Sequence, residues 1–141
     1  MAVKQISVFL ENQPGKLAEL AAVLSTQKIN LRAISVAEAS DFGIVRIIVD
    51  DVFNAVTVLK SENYICSITD VLAVEVQDEA GMLANMIGVL GAEGINIEYM
   101  YTILGKKTNV AYMIIRTNAD AQAAKILEAK GFKSVDSEAM K

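Results

Sequence analysis

The chain has 141 residues, 53% of them hydrophobic and 21% charged, with one proline and eight glycines, a composition that supplies a full core and argues against disorder. A net charge of −4 with no basic cluster leaves nucleic-acid binding without its electrostatic source, and the lack of histidine removes the side chain best suited to proton transfer near neutral pH. The single cysteine, Cys66, can form neither an internal disulfide nor a multi-thiolate metal site and reads as a small buried apolar residue.

Apolar runs fall far short of the ~18 residues that a spanning helix needs. The opening Met1-Ala2-Val3-Lys4-Gln5 lacks the zones of a signal peptide. A cytoplasmic protein with no membrane partner is therefore expected.

In chain order, Ile6, Val8 and Leu10 alternate with Gln5, Ser7 and Phe9, the period of a strand with one face on a core. Asn12-Gln13-Pro14-Gly15 then turns the chain into a helix whose apolar stripe is Leu17, Leu20, Ala21 and Leu24, at i, i+3, i+4, i+7 spacing. Ile29-Asn30 leads to a second strand over residues 30–39, and Ala39-Ser40-Asp41-Phe42-Gly43 makes a reversal rich in turn formers. A β-branched third strand runs from Ile44 to Asp50, a second helix covers residues 52–62 with Val52, Ala55, Val56 and Leu59 facing inward, and a fourth strand spans Tyr64 to Ile68.

The pattern then recurs. Gly15 returns as Gly81, Leu17 as Leu83 and Asn30 as Asn96, each 66 residues on. Leu72, Val74 and Val76 alternate in a strand; Asp78-Glu79-Ala80-Gly81 turns into a helix with stripe Leu83, Met86, Ile87 and Leu90; and Gly94 supplies a left-handed cap. A strand over 96–104, a turn at Gly105-Lys106-Lys107-Thr108-Asn109, a strand from Val110 to Thr117, a helix over 119–130 and a strand from Phe132 to Val135 follow. The register needs two extra residues in the second copy, assigned here to its second helix.

Each half reads β-α-β-β-α-β, so the expected fold class is α+β, two tandem ferredoxin-like units whose four-stranded antiparallel sheets carry both helices on one face. The expected domains are 1–69 and 70–141; no Pro-, Gly- or Ser-rich linker separates them, so strand four of the first should pass almost directly into strand one of the second near Thr69-Asp70. Units of roughly 70 residues bury only about 60% of the surface their unfolded chains expose, so the halves should support one another. Apolar residues such as Phe9 and Ala73 on the other sheet face lead us to expect sheet-to-sheet or edge-to-edge association between units and between chains.

The strand-to-helix turn is the best candidate site, because a helix start offers unpaired N–H groups and positive dipole to a carboxylate. With Pro14 at the first helical position, the N–H groups of Gly15, Lys16 and Leu17 would be free. The plainer reading is a tight turn in which Asn12 or Asp78 caps the helix, and for the turn alone that reading is favoured. Asn30 and Asn96 can read both an ammonium and a carboxylate, although an asparagine between helix and strand is more often a turn residue. Tyr99, Met100 and Tyr101 can line an apolar pocket or pack at an interface.

Strand, Glu11-Asn12-Gln13-Pro14-Gly15-Lys16-Leu17, amphipathic helix, Lys28-Ile29-Asn30-Leu31 and hairpin together resemble an ACT domain. Asp78-Glu79-Ala80-Gly81-Met82-Leu83 through Gly94-Ile95-Asn96-Ile97 resembles it again, so the likeness covers essentially the whole chain. It implies a regulatory module that binds an amino acid at an interface between two units, often joined side by side into an eight-stranded sheet. The implied ligand residues are Asn12, Gln13, Pro14, Gly15, Lys16, Leu17 and Asn30 in the first copy, and Asp78, Gly81, Met82, Leu83 and Asn96 in the second. The second copy departs from the family pattern at Ala80, where proline is usual.

The expected function is thus an amino-acid-binding sensor, a homodimer with no cofactor, no metal and no catalytic residues. The alternative is a regulatory subunit acting on a separate amino-acid biosynthesis enzyme, such as an acetolactate synthase-like partner. An RNA recognition motif shares the strand order, but it needs aromatics with basic neighbours on its central strands. Here Gly43-Ile44-Val45-Arg46-Ile47-Ile48-Val49 is aliphatic. A catalytic reading ranks last, since no base and nucleophile stand at telling spacing.

Overall fold

The structure, a computed structural model, describes residues 3–104, 109–138 and 140. It divides into two compact units, Lys4–Thr69 and a second that runs on from Asp70 and takes in Val3. The described residues form seven strands and four helices.

The first unit contains β1 (Val3–Glu11), α1 (Lys16–Thr26), β2 (Leu31–Ala39), β3 (Phe42–Val49), α2 (Val52–Ser61) and the start of β4 (Ile65–Gln77). β3 lies between β1 and β2 and is antiparallel to both, with Ile47 opposite Ile6 on one side and Ile34 on the other. The second unit contains the rest of β4, α3 (Met82–Ala92), β5 (Ile97–Leu104), β6 (Val110–Thr117), α4 (Asp120–Ala129) and β7 (Lys133–Val135). There β6 lies between β4 and β5, and β7 pairs with β4, all antiparallel. Both units have the α+β, ferredoxin-like order expected from the period-two and period-3.6 segments.

Each unit has its own core on the helix side of its sheet. In the first, Ile6, Val8, Val45 and Ile47 meet Leu20, Leu24, Ala55 and Leu59; in the second, Leu72, Val74, Met113 and Ile115 meet Met86, Leu90, Ala123 and Leu127. A fully buried aliphatic side chain contributes about 1.5–3 kcal/mol, so these facing stripes decide the helix-on-sheet arrangement. Cys66 is free and half-buried against the first core, less enclosed than its expected role as a buried apolar residue. The opposite face is also closed in places: Gln5 and Ile48 of the first unit and Val71, Ala73 and Ile114 of the second are buried.

The helix ends show how local sequence repeats the same solution. After α1 the N–H of Ile29 donates to Leu24 O at 2.9 Å and that of Lys28 to Ser25 O at 3.0 Å, the paired bonds of a Schellman motif. Tyr64 and Asn63 do the same after α2, Ile95 and Gly94 after α3, and Phe132 and Gly131 after α4. The left-handed position is held by Lys28, Asn63, Gly94 and Gly131 in turn. In each case an apolar residue follows it and its N–H reaches back to a leucine.

Four expectations need correction. The fourth strand does not end at Ile68 but is continuous with the first strand of the next unit: β4 runs unbroken for 13 residues, because Ile68-Thr69-Asp70-Val71 holds two β-branched residues beside Val71 and no glycine or proline to break a strand. The first hairpin is tighter than the five residues assigned to it, since Ala39 pairs with Phe42 and leaves only Ser40 and Asp41 in the bend, with Ser40 at φ 50°. The two extra residues of the second copy lie in its hairpin and not in its second helix: Ile6 pairs with Ile47, whereas Leu72 pairs with Ile115, so the offset has already grown by β6. Four of the residues assigned to that hairpin turn, 105–108, lie outside the described residues. Finally, half of the α1 stripe is not core, as Leu17 and Ala21 are exposed while Leu20 and Leu24 are buried.

Candidate functional site

The turn that carries the candidate residues is built identically in both units. The N–H of Gln13 donates to Glu11 O at 2.9 Å and that of Lys16 to Gln13 O at 3.3 Å; in the second copy Glu79 donates to Gln77 O at 2.8 Å and Met82 to Glu79 O at 3.2 Å. Gly15 caps α1 at φ 88°, ψ −17° and Gly81 caps α3 at φ 89°, ψ −17°, in the left-handed region that glycine enters without steric cost. Nothing lies within 4 Å of where a Cβ would stand on either glycine, so the demand is for backbone conformation and the space above the turn is open.

This geometry shifts the expected donors by one residue. Pro14 precedes the cap and is not in the first helical turn, because the left-handed Gly15 delays the helix to Lys16. The Lys16 N–H is taken by Gln13 O, while those of Gly15, Leu17 and Ala18 make no backbone hydrogen bond and no side chain caps the helix. Gly81, Leu83 and Ala84 stand the same way in the second copy. Three unpaired amides at a helix start present partial positive charge to an anion.

The side chains around the turn divide into those that build it and those that can face a ligand. Asn12 builds it: its N–H donates to Asp41 O at 3.0 Å and its Nδ2 to Ser40 O at 3.2 Å, pinning the turn to the β2–β3 hairpin. The Asp78 N–H donates to Asn109 O at 2.7 Å in the same way. Lys16 Nζ stands 4.0 Å from Glu19 Oε2 in a half-exposed pair, an arrangement worth at most about 1 kcal/mol.

Among the cavities that adjoin this turn in the first unit, two share Leu17. One of about 140 Å³ is lined by Asn12, Gln13 and Leu17 together with Leu10, Glu11, Val36, Gly43 and Val45. The other, of about 270 Å³, lies between α1 and β2, lined by Leu17, Leu20, Ala21, Leu24, Ser25, Ile29, Leu31 and Ile34. Leu17 borders both, so a polar head of amides leads onto an aliphatic wall. Sequence reasoning missed Ala18, Ala21, Ile29, Leu31 and Ile34 as site residues. The available signal was Ala21, a small residue on an otherwise leucine stripe whose counterpart is Ile87.

Asn30 stands apart from the turn within its unit. It precedes β2, whose other end carries the hairpin pinned to Asn12, and nine residues of strand span roughly 25–30 Å. Its Nδ2 donates to Asp50 Oδ2 at 2.6 Å, and its carbonyl accepts from the Asp50 N–H at 3.3 Å. In the second copy the roles swap: Asn118 Oδ1 accepts from the Asn96 N–H at 3.1 Å. Met82 and Met100 pack against the second core, Leu83 is 40% exposed, and Tyr99 and Tyr101 are half-buried. Among the described residues, no group of three or more His, Cys, Asp or Glu is placed to hold a metal ion, and no helix is long and apolar enough to cross a membrane.

Comparison with known proteins agrees with this architecture. A family model described as an ACT domain pair matches residues 1–141. The crystal structure of protein BT0572 from Bacteroides thetaiotaomicron is similar at 40% sequence identity and a TM-score of 0.87, covering 96% of this chain and 92% of that one. The ligand-free regulatory subunit of aspartate kinase from Thermus thermophilus shares the fold at 18% identity and a TM-score of 0.65, covering 91% and 92%. Its counterpart from Thermus flavus does so at 17% and 0.62, covering 89% and 90%. No curated protein matches.

Proposed function

Because this chain belongs to the ACT domain pair family, we propose that it is an amino-acid-binding regulatory protein whose ligand sits at the turn before α1. The observation that carries this reading is the set of three unpaired amides, Gly15, Leu17 and Ala18, beside two cavities that share Leu17. The amides receive the ligand's carboxylate. Gln13 and Glu11, exposed beside the smaller cavity, are within the same surface and supply acceptors for its ammonium. The matching turn at Gly81, Met82 and Leu83 is the second candidate.

A hydrogen bond to a charged group contributes about 1.5–3 kcal/mol. Two of these with a buried side chain give micromolar to millimolar affinity after ordering costs, a range suited to following a metabolite. A sensor needs an output. We infer that a homodimer passes ligand occupancy to a separate enzyme of amino-acid metabolism, through surfaces such as β2, where Ile34 and Val36 are 49% and 55% exposed.

Calorimetric titration of the purified chain with the common amino acids tests the reading. At least one should bind with a dissociation constant between about 1 μM and 1 mM; a folded sample that binds none of them overturns it.

A further inference from the structure

Resting on that reading, we propose that the first unit selects an amino acid with an aliphatic side chain, and that the second unit has filled its own version of the same space. The cavity between α1 and β2 has buried Leu20 and Leu24 beneath it and Leu17, Ala21 and Ile34 along its walls. Among the described residues that line it, Ser25 is the one polar residue and none is charged. A polar ligand side chain placed there gives up water and gains no partner, which costs binding energy that an aliphatic side chain of equal size does not lose. Leu17 lines the cavity and its own N–H is one of the three free amides, so a ligand held by its carboxylate at the turn can lay its side chain along this wall.

The second unit shows how the space closes. α1 and α3 start from the same left-handed glycine, and β2 and β5 carry the same register shift, between Leu31 and Ala33 in one and between Ile97 and Tyr99 in the other. Side chains 66 residues apart therefore occupy equivalent places. Ala21 becomes Ile87 and Ile34 becomes Met100. Ala21 is exposed and Ile34 is 49% exposed, whereas Ile87 and Met100 both pack against the second core. The protein's own side chains occupy in α3–β5 the place that a ligand takes in α1–β2.

The test is calorimetric titration of the full chain with leucine, isoleucine and valine, and with asparagine and aspartate, which approach leucine in shape but are polar. The aliphatic amino acids should bind about tenfold or more tightly than the polar pair, at one site per chain. Ala21→Ile, which copies the second unit at an exposed position, should weaken them about tenfold or more with the unfolding midpoint unchanged. Ser25→Leu, on the same wall, is the second variant should the first fail to fold.

Tightest binding of aspartate, asparagine or another polar amino acid overturns the aliphatic assignment while leaving the sensor reading intact; no binding of any amino acid means that the sensor reading itself has failed. Aliphatic binding undisturbed by both variants places the ligand elsewhere and also overturns the proposal. So does an Ala21→Ile variant that changes the sedimentation of the protein but not its titration, since the groove is then covered by a second copy.

Discussion

The α1–β2 layer of the first unit and the α3–β5 layer of the second share their backbone and differ in what fills them. Left-handed glycine cap, free amides, Schellman ending and strand register recur. Ala21 and Ile34 leave a cavity of about 270 Å³ in one, and Ile87 and Met100 join the core in the other. The lesson is that duplication preserves the parts that a fold requires, which are backbone conformation and core contacts, and releases those that only a ligand requires. A turn found twice is evidence for fold; side chains that differ beside the two turns are better evidence for function.

The largest expected effect tests the shared part. Gly15→Ala and Gly81→Ala each force an L-residue to φ near 88° or 89°, which costs roughly 1–2 kcal/mol. Because no atom lies within 4 Å of either added Cβ, the cost is conformational and should be the same in both units. Urea unfolding of the two variants measures it. Losses that differ by more than about 1 kcal/mol would show that the two turns are not equivalent, and the comparison between the units would lose its basis.

A smaller effect separates Asn30 from Asn96. The Asn30 side chain holds the Asp50 carboxylate, while in the second copy the side chain of Asn118 accepts from the Asn96 backbone. Asn30→Ala and Asn118→Ala should therefore each cost about 0.5–1.5 kcal/mol, the net contribution of one hydrogen bond, and Asn96→Ala should cost less than Asn118→Ala. Chemical denaturation of the three variants checks the order. With its amide committed to Asp50 at the far end of β2, Asn30→Ala should leave an amino-acid titration unchanged; a weakened titration would return Asn30 to the ligand.

How much of this was legible beforehand follows from what kind of physics each feature obeys. Period-two strands such as Ile6, Val8 and Leu10, and stripes such as Leu83, Met86, Ile87 and Leu90, are local patterns, and elements and strand order follow from them. The near-direct passage from one unit's strand to the next was legible from the absence of linker residues, but the strand was ended at Ile68 because a repeat boundary suggests a break, although Thr69-Asp70 contains nothing that bends a chain. The shift of free donors from Lys16 to Ala18 depended on Gly15 taking φ 88°, a choice that glycine leaves open. The cavity was hidden because it depends on the volume at Ala21 against that at Ile34, two residues in different elements whose proximity only the fold creates.

The smallest effect concerns Tyr64, whose counterpart after the second helix of the other unit is Phe132. Both N–H groups close the same Schellman bond, to Leu59 O and Leu127 O at 2.9 Å, but Tyr64 is half-buried where Phe132 is buried. Burial pushes the Tyr64 phenol above its ordinary value of 10.0, and the nearby carboxylates of Glu19 and Glu62 add to the shift. The folded state thus favours the neutral phenol more than the unfolded chain does. Its contribution is intact below pH 10 and is lost as pH rises from there through the raised folded value, because the unfolded chain ionises first. Tyr64→Phe makes the first unit resemble the second and should flatten the alkaline fall in the unfolding midpoint between about pH 9 and 11, with little change at neutral pH. Identical alkaline curves for the two proteins would show that Tyr64 is as solvated as a free phenol, and that the partial burial of its ring does not hold the proton.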